Sequence, residues 1–352
     1  MQKNKIKICY FGIYNPDFSR NKIYISGLRE LGAEILECRD NSNGIVKYWN
    51  LWQKHKSIEH SYDAMIVGYP GHLVVPLAKL ISNKKVIADL LGSLYDAEVH
   101  SHNPSFFKKI KTKIIDWLAV KFADIILLES HAQKEYFEQK FGKSEKYKVI
   151  YTGFDLADFS KLEANKVAKD KFIVLFRGRL TPESGITHIL KAAEILKNEN
   201  ILFKIMGGGQ LLEKTKAIIS EMNLTKVMLL TDFLPQEKML EEMARADLSL
   251  GQLEDNPRLN RTIPHKAFES LSLGIPYLSG DAPAIREIIK EGETGFFTPL
   301  ANPESLAQKI KFLSQKPEIL AEVSKNSKEM FYEHFTPEIL AQNILDLLNE
   351  FS

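Results

Sequence analysis

Short apolar runs rich in Ile, Val, Leu and Phe alternate along the chain with longer stretches in which apolar residues recur every three or four positions. Runs of the first kind are expected of strands buried on both faces, and stretches of the second kind of amphipathic helices. Their regular alternation predicts parallel sheets built from repeated strand–helix units. In the first half the strand runs are 5–12, 34–40, 64–70, 85–92, 125–130 and 147–153; in the second half they are 172–178, 201–207, 226–232, 248–253, 275–280 and 294–299. A polar segment rich in Lys and Ala separates the two sets and reads as a linker. The pattern predicts an α/β protein of two doubly wound domains, residues 1–154 and 171–334, joined by a linker at 155–170 and facing a cleft. The final stretch, 335–352, contains an apolar helix at 337–348 expected to cross back to the first domain. In open parallel sheets ligands collect beyond the carboxyl ends of the strands, so residues just after each strand run are the candidates for function.

A length of 352 residues agrees with two domains of about 150 residues each. Cys9 and Cys38, the two cysteines, are too few for a secreted disulfide scaffold. The N-terminal MQKNKIKICYFG turns polar too soon for a signal peptide, and no apolar run approaches the roughly 18 residues of a membrane span. A cytoplasmic protein is expected, with access to the inner face of the membrane. The net charge of +2 conceals an asymmetry: residues 1–170 carry 26 Lys and Arg against 20 Asp and Glu, and residues 171–352 carry 21 against 25. A basic half beside an acidic half points to separate binding tasks. Basic residues that are dispersed and nearly balanced exclude a nucleic-acid partner.

Three stretches of the second half carry candidate chemistry. The strand run ending Phe176-Arg177 leads into Gly178-Arg179-Leu180, where glycine permits close backbone approach and Arg179 is either a phosphate-binding cation or a surface salt-bridge arginine. Next, Gly207, Gly208 and Gly209 separate a strand from a helix, which suits either a tight turn or bare amides facing an anionic ligand at a helix N-terminus. The third stretch runs from Arg258 through Arg261, Pro264, His265, Lys266 and Glu269 to Gly274 and Pro276. Pro264 suits the first turn of a short helix and Gly274 its C-terminal end. His265 and Lys266 then sit at its N-terminus as candidate diphosphate ligands. Glu269 follows one turn later, where a carboxylate can accept hydrogen bonds from vicinal ribose hydroxyls or simply pair with Lys266 on a surface.

The order Gly178-Arg179-Leu180, Ser184-Gly185, Gly207-x-Gly209, Ala246-Asp247, Pro264-x-Lys266-x2-Glu269-x4-Gly274-x-Pro276 and Arg286-Glu287 through Gly292 and Gly295 resembles the C-terminal domain of GT-B glycosyltransferases, in particular glycosyltransferase family 4. The likeness spans 172–315. The first half resembles the family's acceptor-binding domain through Gly12, the segment from Asp89 to Asp96, and Ser130-His131. The resemblance implies two Rossmann-like domains and transfer of a sugar from a nucleoside-diphosphate sugar to a glycan or lipid-linked acceptor. Transfer would retain anomeric configuration, with no bound metal and no tightly bound cofactor, in cell-envelope polysaccharide or glycoconjugate synthesis. It further implies that Glu269 holds the ribose, that the glycines and the backbone near Phe233 and Leu234 hold the nucleoside, and that Arg179 holds the pyrophosphate. Gly12, Gly178, Arg261, His265 and Lys266 complete the expected donor site. Arg179, Lys266, Glu269 and His131 are the catalytic candidates; Asp89 and Asp96 are candidates on the acceptor side. A catalytically silent nucleotide-sugar-binding protein and a sugar-nucleotide epimerase of the same fold are the alternatives.

Two positions depart from the family pattern. Ser184 stands where a phosphate-clamping lysine is usual, and Arg261 where a glutamate is usual. Arg261 or Lys266 is expected to supply the missing cation. His100 and His102 lack further ligands at metal-binding spacing and are not read as a metal site. In the segment Phe106–Phe122, Ile110, Ile114, Trp117 and Leu118 share one helical stripe beside Lys108, Lys109, Lys111 and Lys113. Such a helix either packs its stripe into the core or lies on anionic lipid as a peripheral membrane contact. Trp49 and Trp52, on another amphipathic stretch, are either core residues or part of an acceptor groove.

Overall fold

A computed structural model describes residues 5–102, 104–155, 170–231 and 235–350. Most of the linker, Phe233, Leu234 and the side chain of His102 lie outside the described residues. The chain divides into two units, one formed by residues 1–154 with 334–352, the other by 155–333.

The strands of the first unit are β1 (Lys7–Gly12), β2 (Glu34–Arg39), β3 (Ala64–Val67), β4 (Val86–Leu91), β5 (Ile125–Leu128) and β6 (Tyr147–Val149). They form one parallel sheet in the order β2-β1-β3-β4-β5-β6. Between them run α1 (Ser19–Glu30), α2 (Val46–Lys56), α3 (Val75–Ile81), α4 (Leu94–His102), α5 (Phe106–Phe122) and α6 (His131–Phe141). Alternate strand residues face opposite sides. Cys9, Phe11, Met65, Val67 and Ala88 pack with Leu51, Ala78, Ala119 and Phe137 of α2, α3, α5 and α6. Ile8, Tyr10, Ile66, Ile87 and Ile125 pack with Ile23, Tyr24 and Leu28 of α1 and with Leu340, Ala341 and Ile344 of the last helix, Pro337–Glu350. Gly27 makes that last packing possible, because a Cβ there would lie 2.1 Å from the Pro337 carbonyl oxygen.

A buried ion pair braces this unit. Arg20 Nε lies 2.9 Å from each Asp89 carboxylate oxygen, and Arg20 Nη1 donates to the Ile150 carbonyl at 2.9 Å and to Thr152 Oγ1 at 3.3 Å. Both side chains have no exposed surface. This corrects the expectation for Asp89: its oxygens are engaged inside the fold, so it does not face an acceptor.

The surface of α5 is the reverse of an ordinary core-packed helix. Its buried residues are Thr112, Asp116, Ala119 and Val120, whereas Phe106 (71% exposed), Phe107 (81%), Ile110, Ile114 and Trp117 face outward. Thr112 tolerates burial because its hydroxyl donates to the Lys108 carbonyl. Asp116 tolerates it by accepting from Ser93 Oγ at 2.6 Å and from the backbone amides of Leu94 and Tyr95 at the start of α4. On α2, Trp49 is likewise exposed, its ring 4.9 Å from that of Trp52, so it is not a core residue.

The second unit contains β7 (Phe172–Arg177), β8 (Ile201–Met206), β9 (Val227–Leu230), β10 (Leu248–Leu250), β11 (Tyr277–Gly280) and β12 (Phe296–Thr298), all parallel, in the order β12-β11-β10-β7-β8-β9. Its helices are α7 (Ile186–Ile195), α8 (Leu212–Glu221), α9 (Gln236–Ala244), α10 (His265–Ser272), α11 (Pro303–Ser314) and α12 (Pro317–His334). Numbered within the unit, the strand order is that of the Rossmann fold. The chain reverses direction across the sheet between β7 and β10, and ligands of such sheets bind at the carboxyl ends of strands at that point.

Candidate nucleotide-binding site

The loop after β7 lies against the loop after β8. Gly178 has φ 144° and its amide donates to the Met206 carbonyl at 2.9 Å. Gly207 has φ 139°, and a Cβ on it would stand 2.1 Å from the Gly178 carbonyl oxygen. Glycine is therefore required at 207 by the approach of the Gly178 backbone and favoured at 178 by its positive φ. The triple glycine does not offer every amide to a ligand, because Gly207 N donates to the Leu230 carbonyl at 3.0 Å. Gly208 has open space on its side-chain face. Arg179 is exposed on the loop.

Helix α10 begins after Pro264, whose extended ψ of 136° precedes the first turn, and Gly274 follows its end with φ 65°. The Ser270 hydroxyl, 2.9 Å from Ser249 Oγ, ties the helix to β10. This fixes the face that carries Glu269. The Glu269 carboxylate is 2% exposed and has two cationic or dipolar partners: His265 Nδ1, 2.9 Å from Oε1, and Arg177 Nη1, which contacts both oxygens. Burial alone would push this carboxyl up. The hydrogen bond and charge of His265 and the charge of Arg177 outweigh it and bring the group to about 2. Lys266 is buried with Nζ 3.7 Å from the centre of the Phe176 ring. Burial, reinforced by the Arg177 charge and opposed by Glu269, lowers its ammonium to about 7. The second unit thus gathers one fixed carboxylate, a buried lysine with a lowered ammonium, a histidine and an arginine beside the carboxyl end of β7, where a ribose and a diphosphate have complementary chemistry.

Of the residues expected at a donor site, Gly178, His265, Lys266 and Glu269 come together here. Arg261, on the turn preceding α10, is half-buried with partners of its own. Ser184 is 1% exposed; its hydroxyl donates to the Thr181 carbonyl at 2.6 Å and accepts from Ile186 N, so it serves the turn before α7. In the first unit, Gly12 ends β1 with φ 133°. Asp96 is buried on α4, with His100 Nε2 3.4 Å from Oδ1. His131 is exposed at the start of α6, where Ser130 caps the helix by accepting from Gln133 N. Arg177 was not among the expected residues. The available signal was a single cation ending an otherwise apolar strand run at its carboxyl edge.

Residues 158–330 match the family model described as glycosyl transferases group 1. Similar proteins include the alpha-D-kanosaminyltransferase of Streptomyces kanamyceticus, 22% identical over 69% of this chain and 67% of that one. Another is the putative colanic acid biosynthesis glycosyltransferase WcaL of Escherichia coli, 26% identical over 60% of this chain and 53% of that one. These matches therefore span between about half and two thirds of the relatives' length. A crystal structure of Anabaena Alr3699/HepE in complex with UDP and glucose superposes with a TM-score of 0.75, at 18% identity, covering 98% of this chain and 100% of that one. The chain has the GT-B fold, and its second unit is similar to the glycosyl transferases group 1 family over residues 158–330.

Proposed function

We propose that this protein is a glycosyltransferase that moves a sugar from a nucleoside-diphosphate sugar to a glycan or lipid-linked acceptor in the synthesis of a cell-envelope polysaccharide or glycoconjugate. The observation that carries the reading is Glu269, a buried carboxylate held ionised at the switch point of a Rossmann sheet beside His265, Lys266 and Arg177. Glu269 accepts the ribose hydroxyls. Lys266, His265 and Arg179 stabilise the diphosphate as the glycosidic bond breaks, when its charge is greatest. Retention is the stereochemistry the family resemblance implies; in that course the departing diphosphate takes the acceptor proton, so the site needs no separate general base and no metal. HepE, crystallised with UDP and with UDP-glucose, directs the first trials to uridine donors. The polysaccharide setting rests on relatives such as WcaL.

The acceptor is assigned to the first unit. Exposed Phe106, Phe107, Ile110, Ile114 and Trp117 beside Lys108, Lys109, Lys111 and Lys113 make α5 suited to an anionic membrane surface, which would present a lipid-linked acceptor. No helix among the described residues is long and apolar enough to cross a membrane. The reading is tested by incubating UDP-sugars with membrane extracts as acceptor source. UDP release that depends on acceptor, and is lost in Glu269→Ala, supports it. Acceptor-independent interconversion of the sugar would identify an epimerase, and no turnover of any donor a silent binding protein.

A further inference from the structure

We infer that Arg177 is a donor-binding residue that exchanges partners: it pairs with Glu269 in this structure and passes to the diphosphate when the ribose takes its place. The inference rests on the donor site proposed above and adds to it a residue and an exchange. A carboxylate has two oxygens and about four acceptor positions. His265 Nδ1 uses one oxygen of Glu269, and Arg177 Nη1 lies against both. A ribose that donates two hydroxyls to the same carboxylate competes directly with that guanidinium.

The two partners differ in which of them can move. Glu269 is 2% exposed and fixed on α10, which is itself tied to β10 through Ser270 and Ser249. The Arg177 side chain is 27% exposed, at the last position of β7, and leads directly into the loop of Gly178 and Arg179. Its long, planar head suits bidentate binding of phosphate as well as of carboxylate. Displacement therefore falls to the arginine.

Charge gives the displaced arginine somewhere to go. The site lacks the lysine usual at position 184, and the serine present there is committed to the backbone of its own turn. Lys266 is disfavoured as a cation partly because Arg177 is close to it. An arriving diphosphate removes that repulsion and offers Arg177 the counterion it gives up at Glu269.

The test titrates uridine and UDP separately into wild-type protein, Arg177→Gln and Arg177→Lys. Exchange predicts that Arg177→Gln binds UDP about tenfold or more weakly, while uridine binds as well as before or more tightly because its competitor is gone. Arg177→Lys should recover part of the UDP affinity. Retained uridine binding also shows that the variant is folded. Unchanged UDP affinity in Arg177→Gln overturns the inference, and so does an equal weakening of both ligands, which would make Arg177 only a positioning partner of Glu269. Wild-type protein that binds no UDP would instead remove the uridine donor site on which the inference rests.

Discussion

Two arginine–carboxylate pairs stand at the carboxyl ends of parallel strands, one in each unit, and their surroundings differ. Arg20 and Asp89 in the first unit are wholly buried, and the arginine also donates to the Ile150 carbonyl and Thr152, so it joins α1, β4 and the segment after β6. Arg177 and Glu269 in the second unit are unequally buried, and a histidine and a lysine crowd the same carboxylate. In the first pair Arg20 Nε and Nη1 are both committed to groups inside the fold. The second concentrates ionisable groups at the edge of a sheet, where burial and, after it, the charge of Arg177 lower the ammonium of Lys266. Such concentration marks a binding site rather than a brace.

The largest expected effect separates the pairs by stability. Arg20→Ala leaves Asp89 buried without its counterion and should cost about 3–5 kcal/mol, read as a large fall in the unfolding midpoint in urea. Glu269→Ala leaves an arginine that can reach solvent, so its midpoint should move far less. Equal losses would erase the distinction between brace and site.

The next effect is on ligand affinity and pH. Free Lys266 sits at about 7. A bound diphosphate favours its charged form and raises it, so binding above pH 7 takes up a proton. UDP affinity should therefore fall as pH rises through and beyond 7, by up to about tenfold per unit, and Lys266→Met should flatten that dependence. A wild-type affinity that is level between pH 7 and 9 would show that the lysine does not meet the diphosphate.

A smaller effect concerns the first unit's surface. Reversing Lys108, Lys109 and Lys111 to glutamate should reduce co-sedimentation with vesicles containing anionic lipid, each cation being worth about 1 kcal/mol near such a surface, and should leave UDP affinity unchanged. Undiminished sedimentation would remove α5 as the membrane contact.

The sequence pattern located the strands well because both faces of a parallel sheet are apolar. It overran their carboxyl ends: the run 248–253 contains only Leu248–Leu250 as strand, since Leu253 is buried in the loop beyond. The run 147–153 likewise stops at Val149, with Ile150 buried just after it. Loops at that edge carry apolar residues too. Glu269 and Lys266 were legible because their spacing lies within one short helix. Arg177 and the fate of Asp89 were not, because their partners lie 92 and 69 residues away in sequence and no local pattern records such pairings. The α5 stripe was legible as a stripe, but its outward direction depended on Asp116 turning inward to cap α4.

The central claim, that Glu269 anchors a nucleoside-diphosphate donor in the second unit, is tested most directly by calorimetric titration of UDP into wild-type protein and Glu269→Ala under identical conditions. Saturable binding of one UDP per chain is predicted for the wild type, weakened by about 2–3 kcal/mol in the variant through loss of charge-assisted ribose contacts. Equal binding by both proteins would contradict the claim.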